Sequence, residues 1–562
     1  MLLNIDMKYI GNINKKIING KEYYYHQYRE SDKMVSKTLA SYDAYDLAFK
    51  IYYSSNNDLD DFYNHKFNCD ISFGGPLYEM QKEYASYKRR YIYKDLDDYL
   101  VNNNVGKVFI LYGLRRTGKT TLIFQNIASL TFKEHSKAVF IRISKNNTFK
   151  DLKQDLDYLT THGFKYIYID EITLLDDFIS LSSIFADIYA SRCKIILSGT
   201  DSLGFYFSKY DELFDRALFA HTTYISFKEF SDVLGIDNID DYIAYGGTMS
   251  LDNKDYNHTL LTDEYRQYID TAIANNITHS LKNYHYGDHF SHLYPLYENN
   301  QLKNVINRII EDRNHRFAIS VIERDFKSND YGSLKQLLIK NKNERISNAL
   351  NDVDEDYVIE ELMKALDIIN KEKQSIKIDA DVIKEIEEYL DILDIIKPID
   401  ERNIVSNRSY KHMVVIQPAI RYAQAKQLIN ILLNEPNIIK LPQEIIDIIR
   451  DKLDEDIKGR MLEEIVIYQT YLSNNNTFKL LFPVGEFDMV TFSNKSSNVY
   501  EIKHSSSIYE KQYQHINDID KVTLFNQRYY PIKNKIVLYQ GDNKTLDNGI
   551  IYLNVGEYLK NL

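Results

Sequence analysis

Between residues 84 and 230, short apolar runs alternate with longer amphipathic segments. The runs at 107–111, 165–169 and 194–198 have the length and apolar content of buried strands, and helical periods separate them. Strands that alternate with helices form a parallel sheet with crossover connections. We therefore predict an α/β core with a parallel sheet in this part of the chain.

The N-terminal segment has a different pattern, with three short strand-like stretches before the first helical period. Asn19 and Gly20 form a dipeptide typical of a hairpin turn. The predicted elements are strands at 8–18, 22–29 and 34–39, followed by a helix at 44–53. We expect this helix to cover one face of a three-stranded meander.

This three-stranded segment resembles the small modules at the N-termini of DNA-acting proteins, such as the arm-binding domains of phage-type integrases. Its cationic side chains include Lys15, Lys16, Lys21 and Arg29, which can contact phosphates. A solvated β-surface without a partner is the alternative interpretation. The residues do not decide between the two.

The rest of the chain is predicted from coarser patterns. Residues 255–400 have long helical periods, and the helix near 389 followed by a strand-like stretch at 412–417 fits the last helix and wing of a winged-helix unit. Mixed α/β patterning returns beyond Pro436. We predict a small β-module at 1–75, the α/β core at 76–250, a helical and winged-helix region at 251–435 and a further α/β domain at 436–562.

A glycine-rich loop follows the first strand of the α/β core and precedes a helical period. Its two glycines let several backbone N–H groups point at one phosphate, and the helix N-terminus adds positive charge. Lys119 can reach the β- and γ-phosphates of ATP, and the Thr120 hydroxyl can bind Mg²⁺. The predicted nucleotide-binding residues of this loop are Gly113, Arg115, Arg116, Thr117, Gly118, Lys119, Thr120 and Thr121.

Acidic and hydroxyl side chains follow the next strands of the predicted sheet. Asp170 and Glu171 come directly after a buried strand, where Asp170 is expected to hold Mg²⁺ and Glu171 to polarise the attacking water. Ser198 and Thr200 end the strand after that, and either can contact the γ-phosphate or the water. These residues complete a predicted ATP-hydrolysing site.

Several further stretches occur in a characteristic order. Gly-Leu-Arg-Arg-Thr-Gly-Lys-Thr, Ile-Asp-Glu, Leu-Ser-Gly-Thr-Asp-Ser, an arginine at 216, Ile-Ser-Phe-Lys-Glu-Phe and Tyr-Gly-Gly follow one another. From about residue 84 to the C-terminus, the chain resembles the AAA-type ATPases of archaea and bacteria that carry a C-terminal restriction-endonuclease-like domain. The resemblance implies an ATPase core, a winged-helix region and a nuclease-like end.

The resemblance also implies a role for Arg216, which would lie near a subunit boundary and serve as an arginine finger. An ion pair between Arg216 and Asp215 or Asp211 is the alternative. Arg115 and Arg116 match the family as well. Their partner stays open between phosphate, a neighbouring subunit and DNA.

The C-terminal region has the order helix, hairpin, helix that forms the core of the PD-(D/E)xK nuclease fold. On the second hairpin strand, Glu501 and Lys503 share one face because side chains alternate along a strand. Asp488 on the paired strand can face them, and Glu463 on the preceding helix can complete the set. We predict that Glu463, Asp488 and Glu501 bind Mg²⁺ and that Lys503 orients or deprotonates the attacking water.

One residue departs from the motif that names this fold. Phe487 precedes Asp488, where the motif has proline. The competing interpretation is a nuclease-like fold that is kept for binding or assembly and has lost its activity.

Composition narrows the remaining possibilities. A net charge of −12 excludes a uniformly basic nucleic-acid coat, although a local basic surface remains compatible with it. Two cysteines, Cys69 and Cys193, cannot form a disulfide framework or a four-cysteine zinc site. No apolar run approaches a membrane span, and no signal peptide is apparent. We expect a cytoplasmic protein without a membrane partner.

These observations predict an ATP-hydrolysing AAA-type protein that acts on DNA and self-associates. Its cofactors would be ATP and Mg²⁺, and nucleotide state would control the C-terminal nuclease-like domain. The alternative is a nucleotide-driven signalling or assembly switch whose nuclease-like domain is inactive and used for binding.

Overall fold

The computed structural model describes most of the chain. The described residues are 11–19, 21–54, 62, 64–102, 105–200, 202–210, 212–247, 249, 273, 277–278, 281, 290–327, 364, 378–436, 438–440 and 442–562. The chain folds into two compact units. The first unit comprises Met1–Thr223 and Asn275–Gly287, and the second comprises Tyr224–Ala274 and Asp288–Leu562.

The first unit contains two sheets and the helices that cover them. Its strands are β1 (Asn12–Ile18), β2 (Lys21–Glu30), β3 (Lys33–Leu39), β4 (Asp70–Ser72), β5 (Val108–Tyr112), β6 (Ala138–Arg142), β7 (Tyr166–Asp170), β8 (Lys194–Gly199) and β9 (Ala217–His221). Its helices are α1 (Ser41–Ser54), α2 (Gly74–Lys82), α3 (Tyr93–Val101), α4 (Lys119–Ser129), α5 (Phe132–His135), α6 (Phe149–Thr161), α7 (Phe178–Leu181) and α8 (Ser202–Tyr210).

The N-terminal sheet is an antiparallel meander in the order β1-β2-β3, as the sequence predicts. Its described part begins at Asn12, so the predicted start at residue 8 lies outside the described residues. Tyr24, His26 and Tyr28 alternate on the buried side of β2, and Tyr24 packs against Tyr45 of α1. Because an isolated hairpin is marginally stable in water, this packing stabilises the sheet.

The larger sheet of the first unit has the strand order β4-β6-β7-β8-β5-β9. All pairs are parallel except the edge pair β4–β6. Along β5, Val108 and Ile110 belong to one buried apolar cluster while Phe109 and Leu111 belong to another. Both faces are therefore covered, as expected for a parallel sheet, and the predicted α/β core is confirmed.

The second unit combines one large sheet with long helices. Its strands are β10 (Ile396–Asn403), β11 (Ser409–Val415), β12 (Thr477–Leu481), β13 (Glu486–Ser493), β14 (Ser496–Ile502), β15 (Ile532–Tyr539), β16 (Lys544–Thr545) and β17 (Ile551–Asn554). Its helices are α9 (Phe227–Leu234), α10 (Ile239–Tyr245), α11 (Tyr294–Glu298), α12 (Leu302–Lys327), α13 (Ala380–Ile392), α14 (Pro418–Leu433), α15 (Gln443–Ser473), α16 (Gln514–Asn517), α17 (Ile519–Arg528) and α18 (Val555–Lys560).

The sheet of the second unit has the strand order β11-β10-β12-β13-β14-β15-β17-β16. The predicted strand-like stretch at 412–417 overlaps β11, which forms a hairpin with β10 after α13. Strand β10 also pairs in parallel with β12 and so extends this sheet. The hairpin β13–β14 turns at Asn494 and Lys495, which both have positive φ. A two-residue turn of this hand matches the right-handed twist of the two strands.

Within the described part of the chain, no helix has a stretch that is both long enough and apolar enough to span a bilayer.

Helix α5 ends on a histidine whose side chain is fully buried among aromatic rings. The rings of His135 and Tyr45 lie 4.5 Å apart, and neither ring nitrogen of His135 has a hydrogen-bond partner among the described residues. Burial lowers the pKa of His135 to about 3. The unfolded chain therefore binds a proton at this residue below about pH 6.5, where the folded chain does not.

We predict that the first unit loses stability as the pH falls below about 6.5, and that His135→Phe weakens this dependence. The loss from His135 is up to about 1.4 kcal/mol per pH unit until the folded pKa is reached. Phenylalanine retains the ring packing but binds no proton. Calorimetric unfolding of both proteins between about pH 7 and about pH 5 measures the difference. Equal pH dependence in the two proteins would contradict the prediction.

Candidate functional site

The glycine-rich loop lies at the carboxyl end of β5 and leads into α4. Gly113 has φ 143°, and a Cβ atom there would lie 2.6 Å from Thr222 Oγ1. Gly118 has φ 87°, in the left-handed region that favours glycine. Both glycines of the motif are thus required by the backbone path.

Three residues that the sequence analysis did not single out hold this loop in place. The backbone N–H of Leu114 donates to Thr223 Oγ1 at 3.0 Å, and the hydroxyls of Thr117 and Thr222 lie 2.7 Å apart. Buried Arg90 donates from Nη1 to the carbonyls of Thr117 and Thr222, at 2.7 Å each. Thr222 and Thr223 directly follow β9, so their position at the carboxyl end of a strand could have identified them from the sequence. No pattern in the sequence distinguishes Arg90.

The motif lysine is buried inside the loop. Lys119 Nζ donates to the carbonyls of Gly113 at 2.9 Å and Leu114 at 2.7 Å. Burial lowers the pKa of Lys119 to about 8, against the opposite influence of Glu171 and Asp170. A desolvated ammonium group at this position is a strong partner for phosphate oxygens.

Asp170 and Glu171 meet the loop at the same edge of the sheet. Asp170 is buried, and it accepts hydrogen bonds from Thr120 Oγ1 at 3.1 Å and from the Ser198 hydroxyl. Thr200 Oγ1 donates to Glu171 Oε2 at 3.4 Å. Burial and the neighbouring Asp170 raise the pKa of Glu171, which suits it to accept a proton. The oxygens of Thr120 and Asp170 are ligands that Mg²⁺ prefers, so this edge fits a magnesium nucleotide.

The remaining predicted residues of the loop lie at its surface and at the start of α4. Arg115 and Arg116 are exposed, and Arg116 has φ 63°. Arg115 is near enough to Lys119 and Glu171 to influence the pKa of both. Thr121 lies half-buried in the first turn of α4. The partner of the two arginines stays a matter of prediction.

Arg216 lies at the opposite end of the parallel sheet from the glycine-rich loop. It directly precedes β9, whereas the loop follows β5, and the two strands pair in parallel over five residues. Because five residues at about 3.3 Å each separate the two ends of the strands, Arg216 lies about 16 Å from the loop along the strand direction. Its ion pair is with Asp187 at 3.2 Å, while Asp215 pairs with Lys107 at 2.6 Å. The Asp215 alternative is therefore wrong, and Asp211 lies outside the described residues.

A second group of buried acids lies on the sheet of the second unit. Asp488 Oδ2 accepts from the Ile502 backbone N–H at 2.8 Å and from Lys503 Nζ at 3.0 Å. Lys503 Nζ also lies 2.6 Å from Glu501 Oε2. The structure thus brings together the predicted Asp488, Glu501 and Lys503.

Helix α15 and the start of β13 add two more carboxylates. Oxygens of Glu463, Glu486 and Asp488 all lie within 4.8 Å of one another. Glu486 was missed by the sequence analysis, although it lies two residues before Asp488 on the same strand and so on the same face. We call Glu463, Glu486, Asp488 and Glu501 the acid cluster.

Cations compensate most of the charge of the acid cluster. Lys479 lies 2.8 Å from Glu486 and 3.6 Å from Glu463, and Arg460 pairs with Glu463. Together with Lys503, three cations thus contact the carboxylates of this cluster. The all-oxygen ligands of the cluster fit a divalent cation.

Protonation differs sharply within the acid cluster. Burial opposes ionisation of Asp488, but Lys503 and Lys479 lower its pKa to about 2. Burial and the charge of Asp488 raise the pKa of Glu501 well above its usual range. Burial alone would lower the pKa of Lys503, but Asp488 and Glu501 raise it. The site thus holds an ionised aspartate and a lysine cation side by side.

One oxygen of the acid cluster has no partner within the described part of the chain. Glu501 is almost fully buried, and its Oε1 atom accepts no hydrogen bond there. A buried acceptor without a donor costs about 1–3 kcal/mol, which a bound cation would offset. The unpartnered Oε1 atom therefore supports a metal site independently of the number of carboxylates in the acid cluster.

A cleft of about 560 Å³ opens beside the acid cluster. Arg460, Glu463, Lys503 and His504 line it, so it reaches the predicted catalytic lysine. His504 Nε2 lies 2.5 Å from Asp240 Oδ1, which fixes the orientation of its ring. The cleft gives a polar substrate access to the acid cluster.

The chain matches several solved structures at low identity and with low TM-scores. The Walker-type ATPase PABY2304 of Pyrococcus abyssi is 14% identical, with a TM-score of 0.27, over 60% of this chain and 95% of that one. Saccharomyces cerevisiae Hsp104 appears twice. Its complex with casein is 14% identical with a TM-score of 0.22, over 36% of this chain and 39% of that one. Its complex with ADP is 13% identical with a TM-score of 0.24, over 69% of this chain and 58% of that one.

Sequence comparison gives a more specific result for part of the chain. No curated protein matches the sequence. The family model described as an AAA domain matches residues 105–231, which include the glycine-rich loop, the acidic pair Asp170 and Glu171, and Arg216. This part of the chain, which contains the predicted nucleotide site, is therefore similar to an AAA domain.

Proposed function

We propose that this AAA-type protein hydrolyses ATP and uses its second unit to cleave DNA in a metal-dependent reaction. The observation that carries the proposal is the acid cluster with Lys503 beside it, next to a polar cleft that Glu463 and Lys503 line. Buried carboxylates with a lysine on the same strand are the group that phosphodiester hydrolysis needs. Nucleotide state at the AAA domain would control access to this site.

The ATPase reaction follows from the residues around the glycine-rich loop. Lys119 neutralises phosphate charge, and Thr120 and Asp170 would hold Mg²⁺. Glu171, with its raised pKa, polarises the attacking water. Ser198 orients Asp170 through its hydrogen bond, and Thr200 does the same for Glu171.

The cleavage reaction assigns separate tasks to the second site. Asp488 and Glu501 would hold Mg²⁺ together with Glu463 and Glu486, and the bound ion supplies a Lewis acid and an activated water. Lys503 orients that water and neutralises charge on the phosphate. Asp488 keeps Lys503 in position through its 3.0 Å contact.

The competing proposal is a nucleotide-driven switch in which the second unit only binds. The cations that pair with the acid cluster would then be structural, as in other buried ion-pair networks. Under this competing proposal, the protein would neither bind a divalent metal ion at the acid cluster nor cleave DNA. Divalent ions would then leave its stability unchanged.

We predict that Glu171→Gln lowers the ATP turnover rate by roughly 100-fold or more while ATP still binds, because the general base is lost. Lys119→Ala is expected to weaken ATP binding as well, because it removes the buried counter-charge. Phosphate release and binding of a fluorescent ATP analogue measure the two effects. Glu79→Gln, an exposed acid of α2, is the matched control. Unchanged turnover in Glu171→Gln would contradict the assignment.

We predict that the purified protein cleaves DNA with Mg²⁺ or Mn²⁺ and that the double variant Glu501→Ala, Lys503→Ala does not. The reason is that the variant removes a metal ligand and the lysine that positions the water. Cleavage of duplex, branched and single-stranded DNA is followed by gel electrophoresis, with and without ATP.

The matched control for this experiment is Glu510→Ala, Lys511→Ala, an exposed pair of the same residue types in the second unit. It should cleave like the unaltered protein. Absence of cleavage by the unaltered protein on all three substrates, in every nucleotide state, would contradict the nuclease proposal and favour the switch.

We further propose that the protein self-associates and that Arg216 acts on the nucleotide of a neighbouring subunit, because it cannot reach its own loop. We predict that Arg216→Ala and Lys119→Ala are each inactive as ATPases and that their mixture regains activity. Mixed assemblies would pair an intact loop on one subunit with an intact arginine on the next. Turnover as a function of the mixing ratio measures this. A mixture whose ATPase activity is no higher than that of the two separate variants would contradict a role of Arg216 at the nucleotide of a neighbouring subunit.

A further inference from the structure

A lysine and a histidine of the second unit lie directly beside the acid cluster without belonging to it. His515 is in α16, and Lys521 is in α17. A Cβ atom at Gly485 would lie 2.6 Å from His515 Cε1 and 2.8 Å from Lys521 Nζ. Because Gly485 directly precedes Glu486, both side chains lie over the backbone at the start of β13, next to the acid cluster. We call His515 and Lys521 the lysine–histidine pair.

The contact within the lysine–histidine pair fixes which nitrogen of His515 carries a proton. Lys521 Nζ lies 2.6 Å from His515 Nδ1. An ammonium group has donors only, so Nδ1 accepts and the neutral ring has its proton on Nε2. Burial, Lys521 and Lys503 lower the pKa of His515, which agrees with a neutral ring. Among the described residues, Nε2 has no hydrogen-bond partner, so its N–H can donate to a bound group.

The ammonium group of Lys521 makes no ion pair with a carboxylate in the part of the chain that the structure describes. Nearby acids are paired with other cations. Glu486 pairs with Lys479 at 2.8 Å. Glu501 pairs with Lys503 at 2.6 Å. Burial lowers the pKa of Lys521, although nearby carboxylates, including those of Glu501 and Glu486, oppose this shift. Lys521 is therefore a cation that lies close to the acid cluster and is not paired with its carboxylates.

Local stability does not explain a lysine at this position. Lys521 lies in the first turn of α17, where its backbone N–H donates to the N-cap residue Asp518 at 3.2 Å. The positive end of the helix dipole disfavours a cation there, and the half-buried position adds a desolvation cost. Side chains that conflict with their local surroundings are typical of functional sites. A bound anion would offset both costs.

We propose that the lysine–histidine pair binds a phosphate group of the DNA strand that is cleaved at the acid cluster. Lys521 supplies the positive charge, and the Nε2–H group of His515 donates a second hydrogen bond to the same phosphate. Hydrogen bonds from a cation to phosphate are short and strong. The pair would thus hold the strand beside Lys503 and the metal ligands. This inference rests on the proposed function because it takes DNA as the substrate.

The decisive variant is Lys521→Ala, and the matched control is Lys533→Ala, which removes an exposed lysine of β15. Binding of a fluorescent duplex is followed by anisotropy over a range of salt concentrations. The buffer contains EDTA, which prevents metal-dependent cleavage and leaves the acid cluster unaltered. Lys521→Ala is expected to lower affinity roughly tenfold and to reduce the salt slope by about 1, as for one lost phosphate contact.

Two further variants separate the charge from the hydrogen bond. Lys521→Arg keeps a cation and is expected to retain most of the affinity. His515→Phe keeps a ring over Gly485 but donates no hydrogen bond, so we expect a smaller loss of roughly threefold and an unchanged salt slope. A salt slope that falls in His515→Phe but not in Lys521→Ala would overturn the assignment of the charge.

Denaturant unfolding distinguishes phosphate binding from a structural role of Lys521. Because burial and the helix dipole both disfavour the cation, Lys521→Ala should be at least as stable as the unaltered protein. A variant that loses stability together with affinity would overturn the proposal, since Lys521 would then support the fold.

Binding and cleavage fail separately in this design. The nuclease proposal fails if the unaltered protein cleaves no DNA with Mg²⁺ or Mn²⁺. The phosphate site fails if Lys521→Ala binds the duplex as tightly as Lys533→Ala does, or if the unaltered protein binds no duplex. Lower affinity in Lys521→Ala, in a protein that does not cleave, would support the phosphate site and reject the nuclease.

Discussion

Buried carboxylates impose the strongest constraint on this chain. An ionised carboxylate in the interior without a partner costs several kcal/mol, so each one must meet a donor or a cation. Asp170 meets two hydroxyls, and Asp488 meets a backbone N–H and Lys503. Those partners come from neighbouring strands and helices. The sheets must therefore align so that the acids and their partners reach the same edge.

The constraint has the same consequence in both units. In the first, the parallel order β7-β8-β5-β9 brings the acidic pair, the hydroxyls of β8 and the glycine-rich loop to one edge. In the second, the pairing of β13 with β14 brings Asp488 next to Ile502 and Lys503, while α15 supplies Glu463. Each site is thus built by strand register and by one helix, and the chemistry of each depends on charges that the protein interior does not screen.

Local patterns in the sequence predict much of this architecture. The glycine-rich loop, the acid pair after β7 and the N-terminal meander follow from spacing and periodicity, because strand and turn signals are local. Glu463, Asp488, Glu501 and Lys503 were predicted together, and the structure brings them together. Their roles, like the domain limits and the winged-helix assignment, stay predictions.

Other features depend on contacts between distant parts of the chain. Arg90 supports the loop across more than a hundred residues to Thr222, and no periodicity records such a contact. Lys479 and Arg460 reach the acid cluster from a strand and a helix, so their function depends on tertiary packing. The alternative interpretation of Arg216 paired it with a sequence neighbour, whereas the structure pairs it with Asp187, which lies in the connection between β7 and β8.

We propose that the acid cluster binds a divalent cation, and Mn²⁺ binding is the measurement that decides it. Electron paramagnetic resonance can count the Mn²⁺ ions bound per chain without nucleotide, in a Lys119→Ala background that weakens the AAA site. We expect at least one tightly bound ion per chain, which Asp488→Asn removes while circular dichroism shows the same fold. Equal Mn²⁺ binding with and without Asp488, or no binding in either protein, would contradict it.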